Sequence, residues 1–156
     1  MDKTTVRCRV LIYILALAIF IVGGSVYGKD DKINPKEPGV YIKTDKSLIR
    51  LLPNIVFTDD KGVFYIESNN PAHFFLKDIE YFVFFGTYDF QYLTLNPMVF
   101  FQASSLGKPA FMFGKDIGFE MKQIGTNLFT AKPKGLLGRG YYSLWINDSA
   151  WDFILD

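Results

Sequence analysis

Cysteine and histidine are almost missing from this chain. The single cysteine, Cys8, precedes an apolar run, so nothing after it can form a disulfide or give a thiolate to zinc. The single histidine, His73, leaves no second imidazole for a metal cluster. A Ser-His-Asp relay would have to be built on that one ring, yet no nucleophile or orienting group can be placed beside it. His73 therefore reads as a solvated or core-edge residue, and the sequence calls for no metal and no cofactor. An excess of charge is missing too. The 17 basic and 16 acidic residues leave a net charge of +1, and the part after residue 28 is near neutral without a basic cluster. Nucleic acid is excluded as a natural partner on that ground. Beyond residue 28 there is no amphipathic helical period and no alternation of strands with helices, which excludes nucleotide-binding α/β folds.

Aromatic residues are abundant. Residues 29–156 hold 15 Phe, 7 Tyr and 2 Trp. At roughly 200 Å² each they can bury on the order of 4,800 Å², so one domain can be stabilised without a disulfide or a metal.

The amino terminus has the parts of an export signal in order. Residues 1–9 carry Lys3, Arg7 and Arg9, residues 10–22 are uninterrupted apolar, and Gly23 to Gly28 put Val26 and Gly28 three and one before a cut. The first 28 residues are thus expected to be a signal peptide or, if uncleaved, a membrane anchor spanning residues 10–27. Thirteen apolar residues fall short of the ~20 that cross a bilayer, but counting on through Tyr27 just suffices. The leading basic residues place the domain outside the cytoplasm. A lipoprotein is not indicated, because no Cys ends the apolar run. An exported domain without cross-links points to a bacterial envelope, periplasmic or extracellular. Residues 29–38, charged and with two prolines, read as a linker, and the folded domain as residues 39–156.

That domain is organised around Ile79-Glu80-Tyr81-Phe82-Val83-Phe84-Phe85-Gly86. In a strand Ile79, Tyr81, Val83 and Phe85 share one face, and Phe82 and Phe84 the other. Both faces are apolar, so the strand should lie inside a sheet and be covered on both sides, or be covered on the second side by another chain. Around it the sequence predicts a hairpin of Val40–Lys43 with Ser47–Leu52. A second joins Ile55–Thr58 to Val63–Glu67 across Asp59-Asp60-Lys61-Gly62. His73–Leu76 reads as a short strand or a lead-in to the central run, and further strands are expected at Phe90–Leu95 ended by Asn96-Pro97, at Ile117–Lys122 with Ile117, Phe119 and Met121 inward, and at Asn127–Ala131. A closing hairpin pairs Gly140–Ile146 with Trp151–Leu155. Residues 98–108 carry no readable pattern. The whole predicts an all-β fold, an antiparallel β-sandwich or else a small β-barrel.

Pro38-Gly39-Val40-Tyr41 and Gly138-Arg139-Gly140-Tyr141-Tyr142, leading to Trp151-Asp152-Phe153, resemble the opening and closing hairpins of small exported bacterial β-sandwich proteins of uncharacterised function. The likeness spans about a quarter of the domain and implies an exported, all-β, non-enzymatic protein.

Other local patterns have plain structural readings. Ser104-Ser105 lacks a Gly-x-Ser-x-Gly context. Gly135-Leu136-Leu137-Gly138-Arg139-Gly140 precedes a strand, whereas a phosphate loop opens a helix. Asp59-Asp60 and Asp30-Asp31 are neighbours in sequence, while glycosidase acids converge from separate strands. Asn147-Asp148-Ser149 fits a glycosylation sequon. Tyr41, Tyr141, Tyr142, Trp145 and Trp151 remain as candidate partner-binding aromatics. Tyr142, Leu144 and Ile146 share one strand face and Tyr141 and Trp145 the other, so at least one face should be core. The expected function is a non-catalytic binding or structural module of the envelope, with a protein or glycan partner. The alternatives are a barrel that carries an apolar small molecule, and a hydrolase whose paired acids the sequence conceals.

Overall fold

The Phe-rich octet folds as a strand whose middle is shut off from water, while Ile79, Tyr81 and Phe85 on one face are only half-buried and Glu80 is exposed. In the computed structural model, which describes residues 33–68, 70–103 and 107–156, Phe82, Val83 and Phe84 are all fully inaccessible. The leader with Cys8, Asp30-Asp31 and Ser104-Ser105 lie outside the described residues. Asn34–Asp156 forms one compact unit. Its strands are β1 (Gly39–Thr44), β2 (Leu48–Leu51), β3 (Asn54–Ile55), β4 (Phe57–Thr58), β5 (Phe64–Glu67), β6 (Ala72–Phe74) and β7 (Ile79–Phe85). Then come β8 (Thr94–Ala103), β9 (Pro109–Phe113), β10 (Phe119–Gly125), β11 (Leu128–Pro133), β12 (Gly140–Ile146) and β13 (Ser149–Leu155). Two short 3-10 turns, Leu76–Asp78 and Phe90–Tyr92, are the helical elements among the described residues.

The smaller sheet has the order β10-β11-β7-β1-β2. The octet thus sits in the middle strand, where alternating apolar faces can both be buried. Phe82 and Phe84 pack with Val40 and Ile42 against Leu95, Leu144, Phe153 and Leu155 of the second sheet. Val83 points the other way, between Tyr41 and Thr130 in the register.

The second sheet runs β3-β13-β12-β8-β9-β5-β4. Its outermost members, β3 and β4, are separated in sequence only by Val56, so the sheet curls until its two edges nearly meet. Asn54 ties the seam by donating its Nδ2 proton to the Glu67 carbonyl of β5 at 2.8 Å. The result is a nearly closed, barrel-like sheet. Alternation then gives β12 and β13 two packed faces as well, although the barrel side carries Ser143 and Asp152. One set, Tyr142, Leu144, Ile146, Trp151, Phe153 and Leu155, packs toward the smaller sheet. A second core of Ile66, Met98 and Ala150, with Val56, Phe111, Phe113 and Tyr141 against it, fills the barrel. The fold is all-β and antiparallel apart from the β6–β13 pair, which is parallel.

Local chemistry accounts for the turns. The Thr44 hydroxyl accepts the Ser47 N–H at 3.0 Å and closes the first hairpin. Asp59 Oδ1 accepts from the Lys61 and Val63 amides at 2.9 and 2.8 Å, and Gly62 takes φ 79°, so this acid serves a turn. Asn147 stands at φ 52° in the tight β12–β13 connection, a backbone state Asn tolerates.

Three expectations need correction. Phe90–Leu95 is not a strand throughout, since Phe90–Tyr92 forms a 3-10 turn started by the Asp89 side chain. Nor do Asn96-Pro97 end a strand, because β8 runs from Thr94 to Ala103 through both and into the stretch without a readable pattern. Pro97 is tolerated because it stands at a handover. Thr94–Pro97 pair with β12, whereas the pairing with β9 starts at Met98. The strand predicted at Ile117–Lys122 also lies slightly later, at Phe119–Gly125. It is a sheet edge on which Phe119 packs inward and Met121 is 38% exposed.

Candidate functional site

The five aromatic residues singled out in the sequence do not meet. Tyr41 lies on the far face of the smaller sheet, and its hydroxyl donates to the Glu37 carbonyl at 2.5 Å. Tyr142 and Trp151 belong to the core between the sheets. Tyr142 stacks on Phe153 at 5.9 Å, and its hydroxyl donates to the Gly138 carbonyl and accepts from the Gly138 N–H. Trp151 meets Tyr88 edge-on at 6.1 Å. Tyr141 and Trp145 project into the barrel. Trp145 stacks on Phe113 at 4.4 Å and touches Phe64 at 5.1 Å, while Tyr141 meets Phe111 edge-on at 4.7 Å. The glycine-rich stretch 135–140 is a loop anchored by Tyr142, as its strand context implies. His73 is an exposed residue beside Asp156 at 3.0 Å.

Two features that the sequence reading passed over stand out instead. One is an apolar row across four strands of the barrel wall. The register aligns Phe57 of β4 with Tyr65 of β5, Tyr65 with Met112 of β9, and Met112 with Val99 of β8. Ile66, one residue from Tyr65, is in the barrel core, so alternation turns this row outward. Phe57 and Val99 are 37% and 45% exposed. Phe57 stacks on Tyr65 at 5.6 Å, and Phe101 extends the row from Tyr65 at 6.0 Å. A solvated wall of a barrel ordinarily alternates to polar residues here. The signal was present in Phe64-Tyr65-Ile66, three successive apolar positions, the same two-faced pattern that marked the octet.

The other is a cleft of about 330 Å³ where β13 changes partner. β3 pairs with β13 at Ser149 and Ala150, and β6 pairs with it from Phe153 on. Trp151 and Asp152 lie in the gap. Asp152 reaches the cleft together with Asn54, and the Tyr141 hydroxyl donates to its Oδ2 at 2.6 Å. Asn54 Nδ2 stands 3.4 Å from Oδ1. The ionisation of Tyr141 is pushed above its ordinary range, first by burial and then by its hydrogen bond to Asp152 and the charge there, so it remains a donor. Asp152 is the one carboxylate lining this cleft. A two-carboxylate glycosidase arrangement is not assembled there.

No family model, curated protein or solved structure matches this chain.

Proposed function

We propose that the chain is an exported, non-catalytic binding module of a bacterial envelope that meets a protein partner through the apolar row of its barrel wall. The export part of this reading rests on the basic, apolar and small-residue order of residues 1–28. The observation that carries the binding part is the outward alignment of Phe57, Tyr65, Met112 and Val99 across four strands, with Phe101 beside them. Phe, Tyr and Met without charge is the composition of the centre of a protein interface. A glycan would also want convergent polar groups between the rings, and the row has one phenol. The carrier reading is less favoured, since Ile66, Met98, Phe111 and Phe113 occupy the interior where a ligand would sit.

The test is the size of the native species in a gently solubilised envelope. Wild type should migrate as a discrete complex containing a second polypeptide, and Phe57→Lys/Val99→Lys should migrate at the size of the free chain with an unchanged melting temperature. A wild-type chain found alone, found only with itself, or found in the cytoplasm would sink the reading.

A further inference from the structure

The cleft beside β13 invites a separate conclusion. Asp152 is 8% exposed, yet both of its hydrogen-bond partners described above are neutral, the Tyr141 hydroxyl and the more distant Asn54 amide. A carboxylate offers about four acceptor positions, so two or more remain open. A carboxylate held out of water by neutral donors gains most from a cation. The cationic side chain that lines the cleft is that of Arg50, but its guanidinium is held elsewhere. It contacts Glu37 at 2.6 Å and donates to the Pro38 carbonyl at 2.9 Å. Asn54 is fixed as well, since its Nδ2 donates to the Glu67 carbonyl and its Oδ1 accepts from the Ile55 N–H at 2.8 Å. Apart from Asn70, the remaining walls, Leu51, Leu52, Pro53, Pro71 and Ala72, are apolar.

We propose that this cleft is a binding site for one organic cation, an alkylammonium or alkylguanidinium group, with the charge on the Asp152 carboxylate and the alkyl part against Leu52, Pro53 and Pro71. The buried phenol of Tyr141 holds the carboxylate in place, and Asn54 fixes the rim at the barrel seam. The apolar walls would cover the stem of such a group as they would the stem of a Lys or Arg side chain. The cleft shares no lining residue with the apolar row, and its assignment stands whether or not that row binds a protein.

The experiment is a titration of the exported protein followed by amide NMR, reading the Asn54 side-chain amide and the Asp152 backbone amide. Methylguanidinium and butylammonium chlorides are the free-cation probes, Gly-Arg-Gly and Gly-Lys-Gly the peptide probes, and N-methylurea the neutral match to methylguanidinium. The free cations should give saturable shifts at both amides with a Kd on the order of a millimolar, weakening as salt is raised. Binding of the peptides about tenfold more tightly would assign the cation to a basic side chain of a partner, and equal or weaker binding would assign it to a small molecule. Asp152→Asn should weaken the cations by on the order of tenfold or more. Should that variant fail to fold, Leu52→Arg tests the same point. Leu52 is 78% exposed, so the change leaves the core alone and puts a tethered cation at the cleft, which should block the probes. Shifts equally large with N-methylurea, shifts that do not saturate, or cation binding unaffected by Leu52→Arg would overturn the assignment.

Discussion

Tyr141 serves the barrel and the cleft with one side chain. Its ring packs on Phe111 and its hydroxyl holds Asp152. Its raised ionisation has a consequence for stability, with the sign set by linkage. The folded state favours the neutral phenol, so this contribution is complete below the ordinary value of 10.0 and is lost as pH climbs beyond it. Urea midpoints measured at pH 7 and at several points above 10 should fall on the alkaline side, and the fall should be shallower in Tyr141→Phe. Tyr88, raised mainly by burial, keeps part of the slope in that variant. At neutral pH the variant should lose about 1–3 kcal/mol, because a buried acceptor loses its donor. An unchanged alkaline slope would contradict this. Phe82 gives the residue-scale contrast between core and surface. Fully inaccessible and packed on Phe119 and Phe153, it should cost about 3–5 kcal/mol when replaced by Ala. Leu136→Ala, at a fully exposed site, should stay within about 0.5 kcal/mol by the same denaturation measurement.

At the scale of elements, the strands that stand between local signals were legible. The hairpin β12–β13 is bounded by Gly140 and turned at Asn147, and β7 declares itself by apolar residues on both faces. The turn makes a prediction. Asn147 holds a left-handed φ, so Asn147→Gly should leave the melting midpoint level or raise it, whereas Asn147→Val should cost about 1–2 kcal/mol. Equal stability of the two variants would remove the backbone explanation. Strand β8 was not legible, because Pro97 reads locally as a stop. Only the long-range exchange of partner from β12 to β9 makes a missing N–H harmless there. The hairpin of β4 with β5 was legible around Asp59-Asp60-Lys61-Gly62, but the break at Val56 that splits residues 54–58 between two partners hid for a related reason. Their few residues pair with β13 on one side and β5 on the other, which closes the sheet, and no short window of sequence encodes that. The cleft follows from the same closure, so Asn54 and Asp152, 98 positions apart, gave no local sign of being neighbours.

For the molecule as a whole, two apolar cores share the strands β12 and β13, one between the sheets and one inside the barrel. With both interiors packed by side chains, the proposed recognition falls to the outside. The apolar row sets Phe57, Tyr65, Met112 and Val99 side by side on that outside, without a charge among them. Photo-crosslinking in living cells tests this most directly, with benzoylphenylalanine placed at Tyr65 in the row and, as the comparison, at exposed Glu120 on the edge strand of the other sheet. The account predicts an adduct of one discrete mass with a second envelope protein from position 65, and none from position 120. Equal adducts from both positions, or adducts of position 65 with lipid alone, would contradict it.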